Sequence, residues 1–529
     1  MQTFTWLDYA VFVIYLLGTV AIGTMFVRGR RTLSEYFLAG RSMGSVVISM
    51  TILAALFSGI SFLAAPAEGY ANGPVFYLVN LGFFIATPIT TIFVLPFYYQ
   101  SRYFTAYQYL EERFSVQVRT LASASFILRV MLWLALATYA PALALEQATG
   151  LPLWFTILCT GVLTTFYTTL GGMKAVIWTD VMQLVVLFGG QVIIALTALA
   201  RVPGGISQVV ELASAEGRWN LSFSLDPTVR LTVWGLVIGG AFMHLVQMAT
   251  DQVSVQRYLT AKSLKEAQRG LWIKLIMVIP VTAVFYGAGL ILFAFYQVHG
   301  DPLAAGAIHK ADQILPYFVV TELPAGFPGL LIAAIYAASM STISAGINSL
   351  TSASLVDFYQ RLWPQSDLSE RTQLKLARRL TLLYGALVIA FAFLVQHLGT
   401  LLEASNSVIG LVGGPLLGLF FLGTLVRRVT ARGALVGWLA GCLAGVGALL
   451  PSLLPDGLPD YLPESLAGAA ALLRAWLKFD ISFLWYTLIG CGATMIAGYL
   501  ASLFEPPPDR QKLQRLVWKG RRASDETPA

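Results

Sequence analysis

Eight serine and threonine side chains, Ser339, Ser341, Thr342, Ser344, Ser349, Thr351, Ser352 and Ser354, crowd into the stretch IYAASMSTISAGINSLTSAS (335–354). Hydropathy places this stretch inside an apolar segment of about 327–358, long enough to cross a bilayer. A lipid-facing helix has no use for hydroxyls. Ala338, Ser341 and Thr342 stand at i, i+3 and i+4, so one backbone carbonyl and two hydroxyls share a helix face. Ligands made only of oxygen suit a hard cation. Helix hydroxyls, joined by carbonyls freed from an unwound neighbour, provide such a set for sodium. The alternative is that each hydroxyl bonds back to its own i−4 carbonyl and merely lets helices approach closely.

Other polar groups lie within apolar segments. Asp180, in GGMKAVIWTDVMQLVVLFGG, is a carboxylate that is costly in a span and so functional by default; otherwise it caps a helix start at the membrane edge. Asp251 follows His244, Gln247 and Thr250 and reads as a cap or a gate. Arg129, in FILRVMLWLALATYAPALALE, either snorkels to the surface or, buried, holds an anionic group.

The elements that must position these groups are membrane helices. Of the 529 residues, 57% are hydrophobic and 12% charged, about half the usual charged share. Thirteen spans are predicted, near 7–27, 44–64, 75–100, 120–147, 153–171, 178–200, 232–256, 271–296, 327–358, 379–398, 404–426, 433–453 and 480–503. They are called spans 1 to 13 below. The start, MQTFTWLDYAVFVIYLL, lacks a basic region and a small-residue cleavage site, so it reads as span 1 and not as a removed signal. Odd-numbered connections and the tail carry 27 Lys and Arg, among them Arg257 and Lys274, against six in the even ones. That asymmetry predicts an N-terminus outside and a cytoplasmic C-terminus, and it accounts for the net charge of +7 without any nucleic-acid partner. Cys159, Cys442 and Cys491 fall in spans and read as small buried residues. The tail from EPPPDR onward reads as polar and disordered.

Span 2 carries Ser58-Gly59 at mid-membrane with Pro66 beyond it; five helices later span 7 carries Gly239-Gly240. Interruptions at matching places suggest two five-helix units of opposite orientation, each opening with a broken helix. The expected organisation is span 1 and its loop (1–43), a first repeat (44–200), an outer loop (201–231), a second repeat (232–426), spans 12 and 13 (427–503) and a basic tail (504–529). Gly410, Gly414 and Gly418, and Gly437, Gly441 and Gly445, read as small-residue faces for tight packing.

The motifs FLAGRSM (37–43), APAEGY (65–70), YLEERF (109–114), TLGGMKAVIWTDVMQ (169–183), TDQVSVQRYLTAKS (250–263) and STISAGINSLTS (341–352) resemble, in this order and spacing, the sodium/solute symporter family over nearly the whole chain. YAPALALEQATGLPLW with APAEGY looks most like the branch carrying monocarboxylates, pantothenate-type vitamins and iodide. The resemblance implies an all-α, leucine-transporter-like core of two inverted repeats. It also implies a main Na⁺ site from the carbonyls of Ala54, Phe57 and Ala338 and the hydroxyls of Ser341 and Thr342. A second Na⁺ would use Asp180, Ser344 and a hydroxyl at position 345, which here is Ala. Sugar-transporting members place an acid and an amide where this chain has Ile60 and Ser61, which argues against a sugar. A sialic-acid-transporting relative holds its carboxylate with an arginine of the span 4 region, which favours Arg129 as an anion anchor.

The expected activity is Na⁺-coupled symport of a small organic anion, a monocarboxylate, by a monomer in the plasma (bacterial inner) membrane. Leu56, Ile60, Ser61, Arg129, His244 and Gln247 are the candidate substrate residues. Another solute (vitamin, inorganic anion, amino acid or sugar) is the nearest alternative. A sodium-responsive sensor on this fold would need an appended signalling domain, and only 26 residues follow Leu503. A channel would show conductance far above transporter turnover. No P-loop and no H-E-x-x-H supports an enzyme, and of four His two (His299 and His309) fall in an outer loop.

Overall fold

The computed structural model describes residues 4–25, 32–100, 103–362, 369–395, 401–453 and 481–518. Arg28, Arg30, Arg31, Arg102, Arg474, Lys478, Lys519, Arg521 and Arg522, counted among the loop cations, lie outside them, as does the end of span 10. Among the described residues the chain is helical with no strand; Met43 and Ala261 form an isolated bridge.

Each of the thirteen expected segments falls on helix. Length and apolarity alone give nine crossings among the described residues, or ten with one broken pair. Leu153–Leu199 has 47 residues, roughly 70 Å of helix, over twice the hydrocarbon thickness of a bilayer. It is divided at Gly172, between spans 5 and 6, where φ 52 and ψ −167 are open only to glycine. Span 7 is the shorter helix Gly235–Thr250. Span 10 begins Glu370–Ala392 with a charged, amphipathic turn.

Span 2 is broken. Ser45–Leu56 and Gly59–Asn72 meet at 66°. Phe57 leaves the helix (ψ 87) and Ser58 is extended (ψ 170), its hydroxyl accepting the Ser61 N–H as the cap of the second half. A side chain at Gly59 would collide with the Ser339 hydroxyl, so the break is pressed onto span 9. Span 9, Phe327–Ala353, is almost wholly buried between spans 1, 4, 5 and 6.

Span 7 is interrupted elsewhere than expected. The helix runs through Gly239-Gly240, because these glycines serve packing: a Cβ would meet the Leu484 carbonyl at 2.3 Å and the Val79 carbonyl at 2.8 Å respectively. The interruption is at Asp251, extended at ψ 120, whose carboxylate accepts the Val253 N–H at 2.9 Å and caps Gln252–Tyr258. A short acid that competes for backbone donors breaks this helix where two glycines do not.

The glycine faces of spans 11 and 12 pack as expected, Gly414 against the Thr487 carbonyl and Gly437 against that of Thr494. The three cysteines are free. Two expectations are corrected. Arg113, Arg119, Arg257 and Lys274, counted as loop charges, are buried. The tail is packed as far as Trp518: Leu513, Leu516 and Val517 are buried, Tyr109 donates to the Leu516 carbonyl at 2.8 Å, and Trp518 lies 4.6 Å from Phe93. Four apolar residues within six positions give it a face that composition alone did not suggest.

The second half of span 2, Gly59–Asn72, packs on span 8 backbone to backbone. A Cβ at Gly289 would stand 2.1 Å from the Pro66 carbonyl. Gly289→Ala is therefore expected to cost about 1–3 kcal/mol, read as a lower melting temperature of the purified protein. Unchanged melting would mean that the two helices are farther apart than described here.

Candidate functional site

The half-helix Ser45–Leu56 ends in carbonyls that its own turn cannot satisfy. Span 9 meets them with hydroxyls. Ser341 Oγ lies within hydrogen-bond reach of the Ala54 carbonyl (3.1 Å) and the Ala338 carbonyl (2.9 Å), its one hydrogen serving either. Thr342 Oγ1 stands likewise between the Ala55 carbonyl (3.4 Å) and that of Ala338 (3.2 Å). Four of the five oxygens assigned to a main Na⁺ site, those of Ala54, Ala338, Ser341 and Thr342, thus come together. Sequence reasoning missed the Ala55 carbonyl, which Thr342 also reaches; Phe57, the fifth residue assigned to the site, leaves the helix at the break with ψ 87. The cluster carries no formal charge and sits at the negative end of a helix dipole, which suits a monovalent hard cation.

Of the residues assigned to a second ion, Ser344 donates to the Ser341 carbonyl at 3.1 Å within its own helix. Asp180 is fully buried and ion-paired. Its Oδ2 accepts from Arg257 Nη2 at 2.8 Å and from the Thr51 hydroxyl, while Oδ1 has no partner. Arg257, 0% exposed, also reaches the carbonyls of Val253 (2.8 Å) and Thr51 (3.2 Å). Asp180 is not a membrane-edge cap: it is buried, its Oδ2 is engaged, and its Oδ1 is left without a partner. It is the acid that holds Arg257 between spans 2 and 6.

Arg129 requires the second correction. It neither snorkels nor faces the cavity described below: 1% exposed, it contacts Asp251 Oδ2 through Nη2 at 2.5 Å. The acid at the span 7 break faces this cation across the interior and takes up its charge. A third buried pair joins Arg119 to Asp357 at 2.7 Å, with Thr105 and Ser123 donating to the same carboxylate. Glu111 bridges Arg119 and Arg361 at 2.6 Å each. Burial opposes its charge, yet hydrogen bonds from the two guanidiniums hold its carboxyl below the usual range.

The other side of the span 2 break opens into a cavity of about 140 Å³. Leu56, Ile60, Ser61, His244 and Gln247, five of the six candidate substrate residues, line it; Arg129 does not. Sequence reasoning missed Asn80, Trp133, Thr282, Phe285, Tyr286, Ser405 and Asn406. The amides of Asn80 and Asn406, polar in apolar runs, were the available signal. His244 Nε2 lies 3.2 Å from the Val79 carbonyl, and its ring stacks on Phe83 with centroids 3.5 Å apart. Among the described residues no Asp, Glu, Lys or Arg lines the cavity.

Comparison with known proteins agrees with this geometry. A model of the sodium:solute symporter family matches residues 36–441. Human sodium-coupled monocarboxylate transporter 1 is 37% identical over 441 residues, covering 82% of this chain and 72% of its own length. The rabbit (Oryctolagus cuniculus) sodium-dependent multivitamin transporter is 36% identical over 447 residues, covering 82% and 69%. A Na⁺-coupled sialic acid symporter, solved in a substrate-bound outward-open state, superposes with a TM-score of 0.83 at 31% identity, covering 96% of this chain and 99% of its own.

Removing one partner of a buried pair leaves an uncompensated charge, at a cost of about 3–5 kcal/mol. Asp180→Asn and Arg257→Gln are each expected to lower the melting temperature sharply. The double variant is expected to be more stable than the sum of the two losses. Strict additivity in that thermodynamic cycle would mean that the pair does not interact.

Proposed function

Because the chain belongs to the sodium:solute symporter family, we propose that its coupling ion binds at the span 2 break among the carbonyls of Ala54, Phe57 and Ala338 and the hydroxyls of Ser341 and Thr342, with the Ala55 carbonyl beside them. We propose further that the solute carried with it is a small organic anion, a monocarboxylate. The protein is a multi-pass membrane transporter coupled to sodium. One observation carries the proposal. The break turns its two ends in different directions, carbonyls of Ala54 and Ala55 toward span 9 and the capped start of Gly59–Asn72 toward the cavity.

A helix end rich in carbonyls attracts a cation, and a helix start rich in N–H groups attracts an anion. The same interruption therefore suits both partners of a symport, with ion and solute on adjoining faces.

In the proposed cycle Na⁺ binds first and ties span 2 to span 9, setting the pocket between spans 2, 4 and 7. The solute then permits one helix set to rock against the other. We assign the N-terminus to the outside, the C-terminus to the cytoplasm and the working unit to a monomer in the plasma (bacterial inner) membrane. The excess of Lys and Arg in the odd-numbered connections supports this orientation.

Bonds from hydroxyls to a charged partner are worth about 1.5–3 kcal/mol each. Ser341→Ala with Thr342→Ala is thus expected to abolish sodium-driven uptake of short monocarboxylates into proteoliposomes, while the protein remains folded by size-exclusion chromatography. Uptake with unaltered sodium dependence would remove the proposed ion site. A panel of labelled acids, vitamins, halides, sugars and amino acids, with and without sodium, tests the solute.

A further inference from the structure

Five Lys and Arg side chains are buried among the described residues. Arg113 reaches the carbonyls of Gly423, Val426 and Val429. Arg119, Arg129 and Arg257 are paired with Asp357, Asp251 and Asp180. Lys274 has neither. Fully buried in the helix Leu264–His299, its ammonium lies 3.2 Å from the centroid of the Phe83 ring and 3.9 Å from Met248 Sδ. An aromatic face and a thioether return only part of what a cation loses on leaving water. The fold leaves this charge without an anion.

What stands on the far side of Phe83 is the cavity. His244 stacks on Phe83 at 3.5 Å with the rings 13° from parallel. An ammonium 3.2 Å over the same face would overlap the imidazole, so Lys274 and His244 occupy opposite faces. The order is Lys274, Phe83, His244, and both rings line the cavity. With Arg129 committed to Asp251, the lining itself holds no Lys or Arg to select an anion.

We propose that the cavity wall formed by Phe83 and His244 is the seat of the substrate's carboxylate, and that Lys274, behind it, is the positioning cation that selects an anion over its neutral isostere. This rests on the monocarboxylate reading above and adds to it the residue responsible for charge selection. Lys274 acts through the ring and does not touch the solute. Its charged form is costly while the cavity is empty and is favoured when a carboxylate arrives, and an amide of the same shape brings no such gain. At an effective dielectric of about 20, a unit charge two ring spacings away favours an anion by on the order of tenfold or more.

The test is sodium-driven uptake of acetate, propionate and butyrate, each against its own amide, by the parent protein, Lys274→Met and Lys274→Arg in proteoliposomes. The parent is expected to prefer acid over amide at least tenfold in kcat/KM. Lys274→Met is expected to bring that ratio close to one while amide uptake and sodium dependence hold, and Lys274→Arg to retain the preference. Folding is read separately, from the sodium-induced rise in melting temperature, and Lys274→Asn replaces Lys274→Met if that rise is lost. A neutral variant that keeps the full acid preference overturns the role of Lys274 and leaves the monocarboxylate reading standing. A parent that carries no acid in preference to its amide overturns both.

Discussion

The rest of the structure depends on an unsatisfied turn of helix. Ser45–Leu56 stops at mid-span with carbonyls that have no intrahelical donor. In a bilayer such groups are tolerated only when buried in protein or lining an aqueous space. Here the hydroxyls of Ser341 and Thr342 cover two of them, which is why span 9 must be both rich in hydroxyls and nearly free of lipid contact. Gly59 follows from the same constraint, since any side chain there would push the break off Ser339. Polar residues that look out of place by hydropathy are thus the cost of one interrupted helix.

Three buried aspartate–arginine pairs cross the same boundary in the chain. Asp180, Arg129 and Arg119 belong to residues 44–200, and Arg257, Asp251 and Asp357 to residues 232–426, the two proposed repeats. A buried pair contributes little net stability, because desolvation offsets most of its attraction, yet half a pair is severely destabilising. Such contacts fix which surface of one half faces the other. The proposed inverted halves are held in register by charge, and their close approach elsewhere rests on glycine-to-backbone packing such as Gly240 on Val79.

The sequence made the membrane architecture and the oxygen cluster legible, because hydropathy and i, i+3, i+4 spacing are local. Ala338, Ser341 and Thr342 needed only helix geometry. What sequence could not reveal was which buried charge meets which. Arg257 lies one residue beyond a hydropathy window and Lys274 close to the start of another, so both were counted as surface charges; their burial is decided by distant partners, Asp180 and Phe83. Arg129 looked like an anion anchor because it stands in an apolar span and a relative uses an arginine of that region, and the acid that meets it came from 122 positions away. The span 7 break was misplaced because glycine pairs are read equally well as flexibility or as close packing, and only the facing Val79 and Leu484 carbonyls decide between them.

These placements bear on why ion and solute should travel together. On the proposed scheme an ion at the Ser341–Thr342 cluster is a positive charge on one face of the break, and Lys274, buried beyond the cavity wall, becomes a second once an anion arrives. Among the described residues no carboxylate lines the cavity, so without a solute each charge opposes the other. A monoanion in the cavity lowers the energy of both at once, and loses part of its own stabilisation if the sodium leaves. Differential affinity of this kind is what a coupled transporter requires, since binding energies linked in one direction are linked equally in the other. Coupling on this scheme arises from an anion held between positive groups, with sodium and the helix start on one side and the buried lysine on the other.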